Sequence, residues 1–295
     1  GQGDIGQSSP CIAADLDNDG FVDILHPGEA AGILWKGKAG GFQPSVKCSV
    51  STGGGTAVAA LGDFDQDGFL DIFLAGPEKN TLWENDGKAP SPSEAGFGAR
   101  EGRGAFRDVY HRSGSMSYKC PPHAADAAAM DLNHDGRQDL CLVYPEGDLQ
   151  YHWNRGFRSF GEEGEVRLPA PEGDAGQPRP GQRAVLGADF NGDGATDLAV
   201  AFTNGDIIVC FSDQIGVPGV RLRLPRGVTG PITASVWVGD THPAPAAALP
   251  VFGHSPAAFL CTRYPGKCTV KYRCPGRQEQ AISVAVEDAP KEVIL

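Results

Sequence analysis

Short apolar runs recur along the chain, separated by segments rich in Gly, Asp and Pro. Each run is too short for a helix of ordinary length, and many contain β-branched or aromatic residues, so they read as strands joined by tight turns. Laid over one another, they fall into a repeat. A stretch of small apolar residues, such as Thr56–Leu61 or Ala184–Ala188, leads into an acidic loop, and a β-rich run follows, such as Ile72–Leu74 or Leu198–Phe202. About twenty residues after the loop begins comes a third run: Ile33–Trp35, Thr81–Trp83, Leu149–Trp153 and Ile207–Phe211. A fourth follows a turn: Ser45–Val50, Phe106–Tyr110, Gly164–Leu168 and Val220–Leu224. Each unit therefore predicts four short strands.

A fifth, eroded copy runs from Ala234, with Ser235–Asp240 as its first strand and first Asp, and Ala258–Cys261 as its third strand. Its loop, Thr241–Pro245, carries no acidic residue. The first Asp of each unit stands at 15, 63, 131, 189 and 240, giving intervals of 48, 68, 58 and 51 residues. Four strands at that period predict an all-β chain, a β-propeller of four-stranded blades with five repeat units visible. The expected organisation is one domain over 1–295, with units near 8–54, 55–118, 119–180, 181–230 and 231–280. Ala281–Val286 either closes the ring with the N-terminal segment or begins a further blade. The longest insertions, Gly87–Gly104 and Pro169–Gln182, read as exposed loops.

The four acidic loops share the pattern D-x-[DN]-x-D-G-x-x-D. In order they hold Asp15, Asp17, Asp19 and Asp23; Asp63, Asp65, Asp67 and Asp71; Asp131, Asn133, Asp135 and Asp139; and Asp189, Asn191, Asp193 and Asp197. Alternate residues of a tight loop turn their side chains to one centre, and a hard cation such as Ca2+ takes six to eight oxygen ligands. Positions 1, 3, 5 and 9 then supply side-chain oxygens. Position 7 supplies a backbone carbonyl, which leaves its side chain free to vary as Phe21, Phe69, Arg137 and Ala195. Gly20, Gly68, Gly136 and Gly194 at position 6 allow the sharp turn. Asp, Asn and Gly also favour metal-free turns. Four recurrences at one spacing, and the repulsion among carboxylates packed so closely, favour calcium at about four sites. An EF-hand would need a bidentate Glu at position 12 and flanking helices. His26, Leu74, Leu142 and Val200 stand there instead.

The formal net charge of −12 disfavours nucleic acid as a partner. Four Ca2+ ions would bring that charge to −4. No apolar run reaches the roughly 20 residues of a membrane span. The chain opens at Gly1–Gly3 with no basic-then-apolar leader, as a processed product or an excised fragment would. Eight cysteines contain no C-x-x-C pair, so a zinc site is not expected. Their even number favours at least one disulfide and an extracellular or other oxidising compartment. Cys141 and Cys210, inside apolar strands, also suit packing as thiols.

These repeats resemble the FG-GAP/VCBS repeats of integrin-α-like β-propellers, on the loop pattern followed by an apolar strand. The resemblance spans about Cys11 to Cys274. It implies that each acidic loop joins the first two strands of a blade and that calcium braces it. The literal Phe-Gly and Gly-Ala-Pro segments are not clear here, which places the chain nearer the VCBS branch. Propellers of the family commonly have seven blades. A five-bladed ring, a fragment of a larger propeller and blades too degenerate to see all remain open.

The seven histidines show no H-E-x-x-H spacing, and there is neither a G-x-S-x-G elbow nor a P-loop. The G-x-G-x-x-G match at Gly1–Gly6 has no preceding strand and reads as chance. His134, at a variable loop position, reads as solvated. Trp35, Trp83 and Trp153 hold equivalent places in the repeat and read as packed between blades, and Trp237 is read the same way. The expected function is a secreted binding or adhesion module for a protein or glycan, with calcium structural. A lectin or a polysaccharide-lyase-like enzyme on the same scaffold is the alternative, and a subunit of a larger extracellular assembly is a third.

Overall fold

The computed structural model describes residues 10–55, 57–87, 106–168, 180–213, 219–223, 232–238, 247–251, 258–261, 266–273, 278, 280–286 and 291–294. Regular structure among them is strand, apart from a 3-10 turn at Tyr110–Arg112 and one helical turn, α1, at Met116–Lys119. The first sheet holds β1 (Ile12–Ala14), β2 (Asp23–His26) and β3 (Gly32–Trp35). A small ribbon, β4 (Gly37–Lys38) with β5 (Gly41–Phe42), precedes its last strand, β6 (Val46–Cys48). The second contains β7 (Val58–Gly62), β8 (Asp71–Ala75), β9 (Asn80–Asn85) and β10 (Phe106–Asp108). The third contains β11 (Asp126–Met130), β12 (Asp139–Val143), β13 (Leu149–Asn154) and β14 (Phe160–Val166). In all three, neighbours in sequence are antiparallel neighbours in the sheet, as the repeat predicts.

The cores lie between the sheets, and period-2 alternation divides each strand between two of them. Along β8 every residue is buried. Ile72 and Leu74 join the first sheet's Ile12, Leu25 and Leu34, while Phe73 and Ala75 join Leu140 and Leu142 of the third. β12 divides the same way: Leu140 and Leu142 turn back to the second sheet, Cys141 and Val143 forward to Val185 and Val200 of the fourth. A strand with both faces buried has to be apolar throughout, which is why these runs do not alternate with polar residues. Burying one such side chain contributes roughly 1.5–3 kcal/mol. The first strands of successive sheets also lie together, β7 against β11 and β11 against β15 (Gln182–Ala188).

The fourth sheet contains β15, β16 (Asp197–Phe202) and β17 (Ile207–Cys210) and stops at three strands. The expected fourth strand does form, as β18 (Gly219–Arg223), but β17 is not its partner. It pairs antiparallel with Ala258–Cys261 and parallel with Lys291–Ile294. An apolar strand specifies which face it buries rather than which neighbour it takes, and the connection 211–218 is too long to impose a tight hairpin. One row across the outer face of the fourth sheet runs Leu186–Ala199–Val209. Leu186 and Ile207 are 58% and 67% exposed.

The last sheet departs from the plan. β19 (Ile232–Val238) is central, between β20 (Ala247–Val251) and β22 (Gly266–Arg273), with β23 (Gln280–Val286) outermost. Ala258–Cys261 (β21), expected as a third strand here, sits instead beside β18, whose other neighbour is Lys291–Ile294 (β24). Ala281–Val286 pairs with β22. The sequence after the first strand of this region does not carry the acidic repeat of the other units. The insertion at 88–105, the stretch 169–179, the loop after Val238 and the segment Gly1–Gly6 lie outside the described residues.

Candidate metal-binding loops

Each acidic loop joins the first strand of a sheet to the second: β1 to β2, β7 to β8, β11 to β12 and β15 to β16. The local fold is dictated by carboxylates that accept from backbone N–H groups a few residues on. Position 1 takes at least two. Asp15 accepts from Asp19 and Gly20 at 3.1 and 2.9 Å, Asp63 from Asp67 and Gly68 at 3.0 Å each, and Asp131 from Asp135 and Gly136 at 3.0 and 2.9 Å. Asp189 accepts from Gly192 and Gly194 at 2.7 and 3.0 Å. Position 5 accepts from the N–H of position 7, as Asp19 does from Phe21 at 2.8 Å and Asp193 from Ala195 at 2.8 Å. Position 6 needs glycine because its φ lies between 85 and 94° in all four loops.

Position 9 is buried in every loop and clamps it shut. One oxygen of Asp23, Asp71, Asp139 and Asp197 accepts from the N–H of position 2, at Leu16, Phe64, Leu132 and Phe190. The other accepts from the end of the third strand or just beyond it, at Gly37, Asn85, Asn154 and Ser212, at 2.8–2.9 Å. Of the four predicted ligand positions, then, 1, 3 and 5 converge and 9 braces. In the first loop Asp15, Asp17 and Asp19 bring oxygens within 4.8 Å of one another, and Asp63, Asp65 and Asp67 do so in the second. That span is about twice a Ca–O distance of ~2.4 Å, so one ion fits between them. In the third and fourth loops Asn replaces one carboxylate, and its amide donates to the neighbour: Asn133 to Asp135 at 3.2 Å and Asn191 to Asp193 at 2.8 Å.

Burial of these carboxylates raises their pKa. Asp15 and Asp23 are pushed up to about 6, Asp63 and Asp131 to about 7 and Asp139 to about 8. Loss of hydration is the main cause in each, resisted by the backbone donors and reinforced by neighbouring carboxylates. A cation bound among them would hold the ionised form. Basic side chains already lie there: Lys36 pairs with Asp17 at 2.6 Å, Arg137 with Asp135, and Arg158 with Asp65 and, at 2.7 Å, with Glu84.

Several functional contacts escape a reading of single loops. Position 4 has φ between 57 and 82° throughout, at Asn18, Gln66, His134 and Gly192. In the first two loops its side chain reaches the next loop. Asn18 donates to the Gly68 carbonyl at 2.7 Å, and Gln66 to the Gly136 carbonyl at 3.3 Å. His134, expected in solvent, is 7% exposed. Burial lowers its pKa, while Asp193 and Asp197 of the fourth loop favour its charged form. Asn85 and Asn154, at the ends of third strands, reach back the other way to Leu16 and Phe64. The loops are therefore interlocked in series. Comparing equivalent positions across repeats was the only available signal for this, since each side chain differs.

Of the tryptophans, Trp83 is buried in the core between the first two sheets, whereas Trp35 and Trp153 are half-buried. Trp153 stacks at a tilt on Tyr151 with ring centroids 4.4 Å apart. The side chain of Trp237 is outside the described residues. Cys11, Cys48, Cys120, Cys141, Cys210 and Cys268 are all free thiols, so the expected disulfide is not found among them. Burial accounts for Cys141, which packs as an apolar side chain in the core between the third and fourth sheets.

Residues 15–74 and 131–200 match the family model described as FG-GAP-like repeat. No curated protein matches the chain in sequence. Among solved structures, an Agrocybe aegerita lectin described as recognising non-reducing terminal N-acetylglucosamine is 17% identical, with a TM-score of 0.47 over 96% of this chain and 67% of that one. A Photorhabdus luminescens Tc holotoxin pore is 19% identical, with a TM-score of 0.41 over 68% of this chain and 9% of that one.

Proposed function

The chain carries FG-GAP-like repeats over residues 15–74 and 131–200, and from that premise we propose that it is a calcium-stabilised, propeller-type module that binds a protein or glycan outside the cell. The observation that carries the calcium reading is the convergence of Asp15, Asp17 and Asp19, and of Asp63, Asp65 and Asp67, within 4.8 Å. The third and fourth loops, with Asn133 and Asn191, hold the ion with less charge. Position 7, at Phe21, Phe69, Arg137 and Ala195, adds its carbonyl, and Asp23, Asp71, Asp139 and Asp197 keep the loop closed around the metal. The ion's role is structural: it neutralises buried carboxylates and fixes the turn between first and second strands. Carboxylates already engaged by backbone donors and by Lys36 or Arg158 suit the weak, ~10⁻⁴–10⁻³ M calcium affinity of extracellular modules. The weak affinity and the extracellular placement are parts of the same proposal.

Thermal unfolding in millimolar calcium and in excess EGTA, with metal analysis of the purified protein, tests this reading. Ligand that binds only the folded state raises its stability. Several Ca2+ per chain and a melting temperature many degrees lower in EGTA are expected. No bound calcium and superimposable melts would overturn it.

A further inference from the structure

Between the second and third sheets the chain makes an ordered excursion, the 3-10 turn and α1, which the repeat does not call for. Two backbone bonds pin it to β14: Ser115 N–H to the Phe160 carbonyl at 2.9 Å, and Phe160 N–H to the Ser113 carbonyl at 3.0 Å. A pocket of about 390 Å3 opens between them, lined by Ser115, Tyr118, Lys119, Arg155, Ser159 and Glu163 among others. Tyr118 is 75% exposed. The Arg155 guanidinium lies across Gly161, where a Cβ would come within 2.7 Å of it. Glu163 accepts from the Ser115 hydroxyl at 2.9 Å and pairs with Lys119.

We propose that this pocket is a saccharide subsite for one hexose residue of a glycan, with Tyr118 as the stacking face and the Lys119–Glu163 pair, flanked by Ser115, as partner to vicinal hydroxyls. The proposal rests on the reading of the chain as a binding module and names the ligand class that module takes. Each sugar hydroxyl donates one hydrogen bond and accepts others, so adjacent hydroxyls need a donor and an acceptor side by side. Lys119 and Glu163 supply that pair, already oriented by one another. The lining is hydroxyl, carboxylate and cation with one open aromatic ring, which suits a ring with polar edges and C–H faces and is wrong for an apolar ligand. At about 390 Å3 the pocket is at the small end of ligand sites, ~300–1,000 Å3.

A broad glycan array probed with the calcium-loaded chain, followed by titration of the best-bound glycan, tests the subsite. Tyr118→Ala and Glu163→Gln are each expected to weaken binding roughly tenfold, and Tyr118→Phe to keep it. Because Tyr118 is on the surface, its variants should melt with the wild type, which separates lost binding from lost fold. Undiminished binding by both Tyr118→Ala and Glu163→Gln would overturn the subsite and leave the binding-module reading standing. No glycan bound by the folded, calcium-loaded chain would overturn the glycan reading as well.

Discussion

The side-chain amide of Asn154 donates to the carbonyl of Phe64 at 2.9 Å, across 90 residues of sequence, and also to the carbonyl of Gln138 at 3.0 Å. Its oxygen accepts from Gly156. One buried amide therefore ties the end of β13 to its own loop and to the preceding one. Asn85 repeats the arrangement on Leu16 and Leu70. Asn154→Ala leaves two carbonyls without this donor and should cost about 1–3 kcal/mol. Urea unfolding should show a lower midpoint at unchanged slope, and an unmoved midpoint would show that the link carries no energy.

Asp71 and Asp17 belong to the same loop pattern but should respond differently to the same change. Both oxygens of Asp71 accept backbone N–H bonds, from Asn85 and Phe64, whereas Asp17 stands partly exposed beside Lys36. Asp71→Asn sets an amide donor against a backbone donor and should cost about 2 kcal/mol or more even in EGTA. Asp17→Asn should leave the calcium-free melt almost unchanged and shrink the rise that calcium produces. Equal effects of the two in EGTA would contradict the division into bracing and ligating positions.

Two sets of buried groups pull the pH dependence of the calcium-free protein in opposite directions. His152 is 1% exposed, and loss of hydration lowers its pKa from 6.5 to about 4, with Glu163 raising it and Lys119 lowering it further. A lowered folded pKa means stability that is present above 6.5 and lost as pH falls toward 4. For the loop carboxylates the folded pKa is raised, to about 6 for Asp15 and about 7 for Asp63 and Asp131. Their contribution is present below the ordinary carboxylate value of 3.8 and is lost as pH rises from there through 6 to 7. The raised carboxylates outnumber the one lowered histidine, so urea midpoints measured in EGTA should fall as pH rises from about 4 to about 7. His152→Leu should steepen that fall, and calcium, which binds the ionised carboxylates, should flatten it. Midpoints that rise over this range in EGTA would refute this account.

Lys36 and Arg158 occupy carboxylate oxygens of the first and second loops. A calcium ion there meets a resident positive charge. Lys36→Met and Arg158→Met should each tighten calcium binding a few-fold, measured by calorimetry, while slightly lowering stability in EGTA as carboxylate repulsion goes unopposed. Weaker calcium binding in both variants would mean that these cations support the metal-bound form.

The local design was readable from sequence to different depths. The acidic loops and the strands on either side of them stood out because Asp, Gly and apolar runs recur at fixed offsets, as with Asp15–Asp23 and Asp63–Asp71. Ile72–Leu74 read from sequence as a strand, and the structure adds that both of its faces are buried. Partner choice was not readable: the pattern places Val220 in a strand, but pairing with Leu260 and Lys291 is decided by contacts far along the chain. Nor was the bracing role of position 9, since Asp23 and Asp17 look alike until the N–H groups of Leu16 and Gly37 are brought to one of them. His134 looked like a loop residue facing water, and the position of the next loop turned it inward.

Among the described residues, the first four sheets share their cores in pairs. Ile72 and Phe73 are adjacent in sequence yet belong to different interiors, each of which needs a second sheet to exist. Melting any internal sheet would therefore wet two interiors at once, so the folded arc should behave as a row of mutually dependent neighbours rather than a set of independent beads. A cut in 169–179, between the third and fourth sheets, would strip Cys141 and Val143 of their cover. Neither piece would be expected to keep its end sheet folded, and an evolutionary loss of one repeat would have to rebuild the facing surfaces on both sides of the gap.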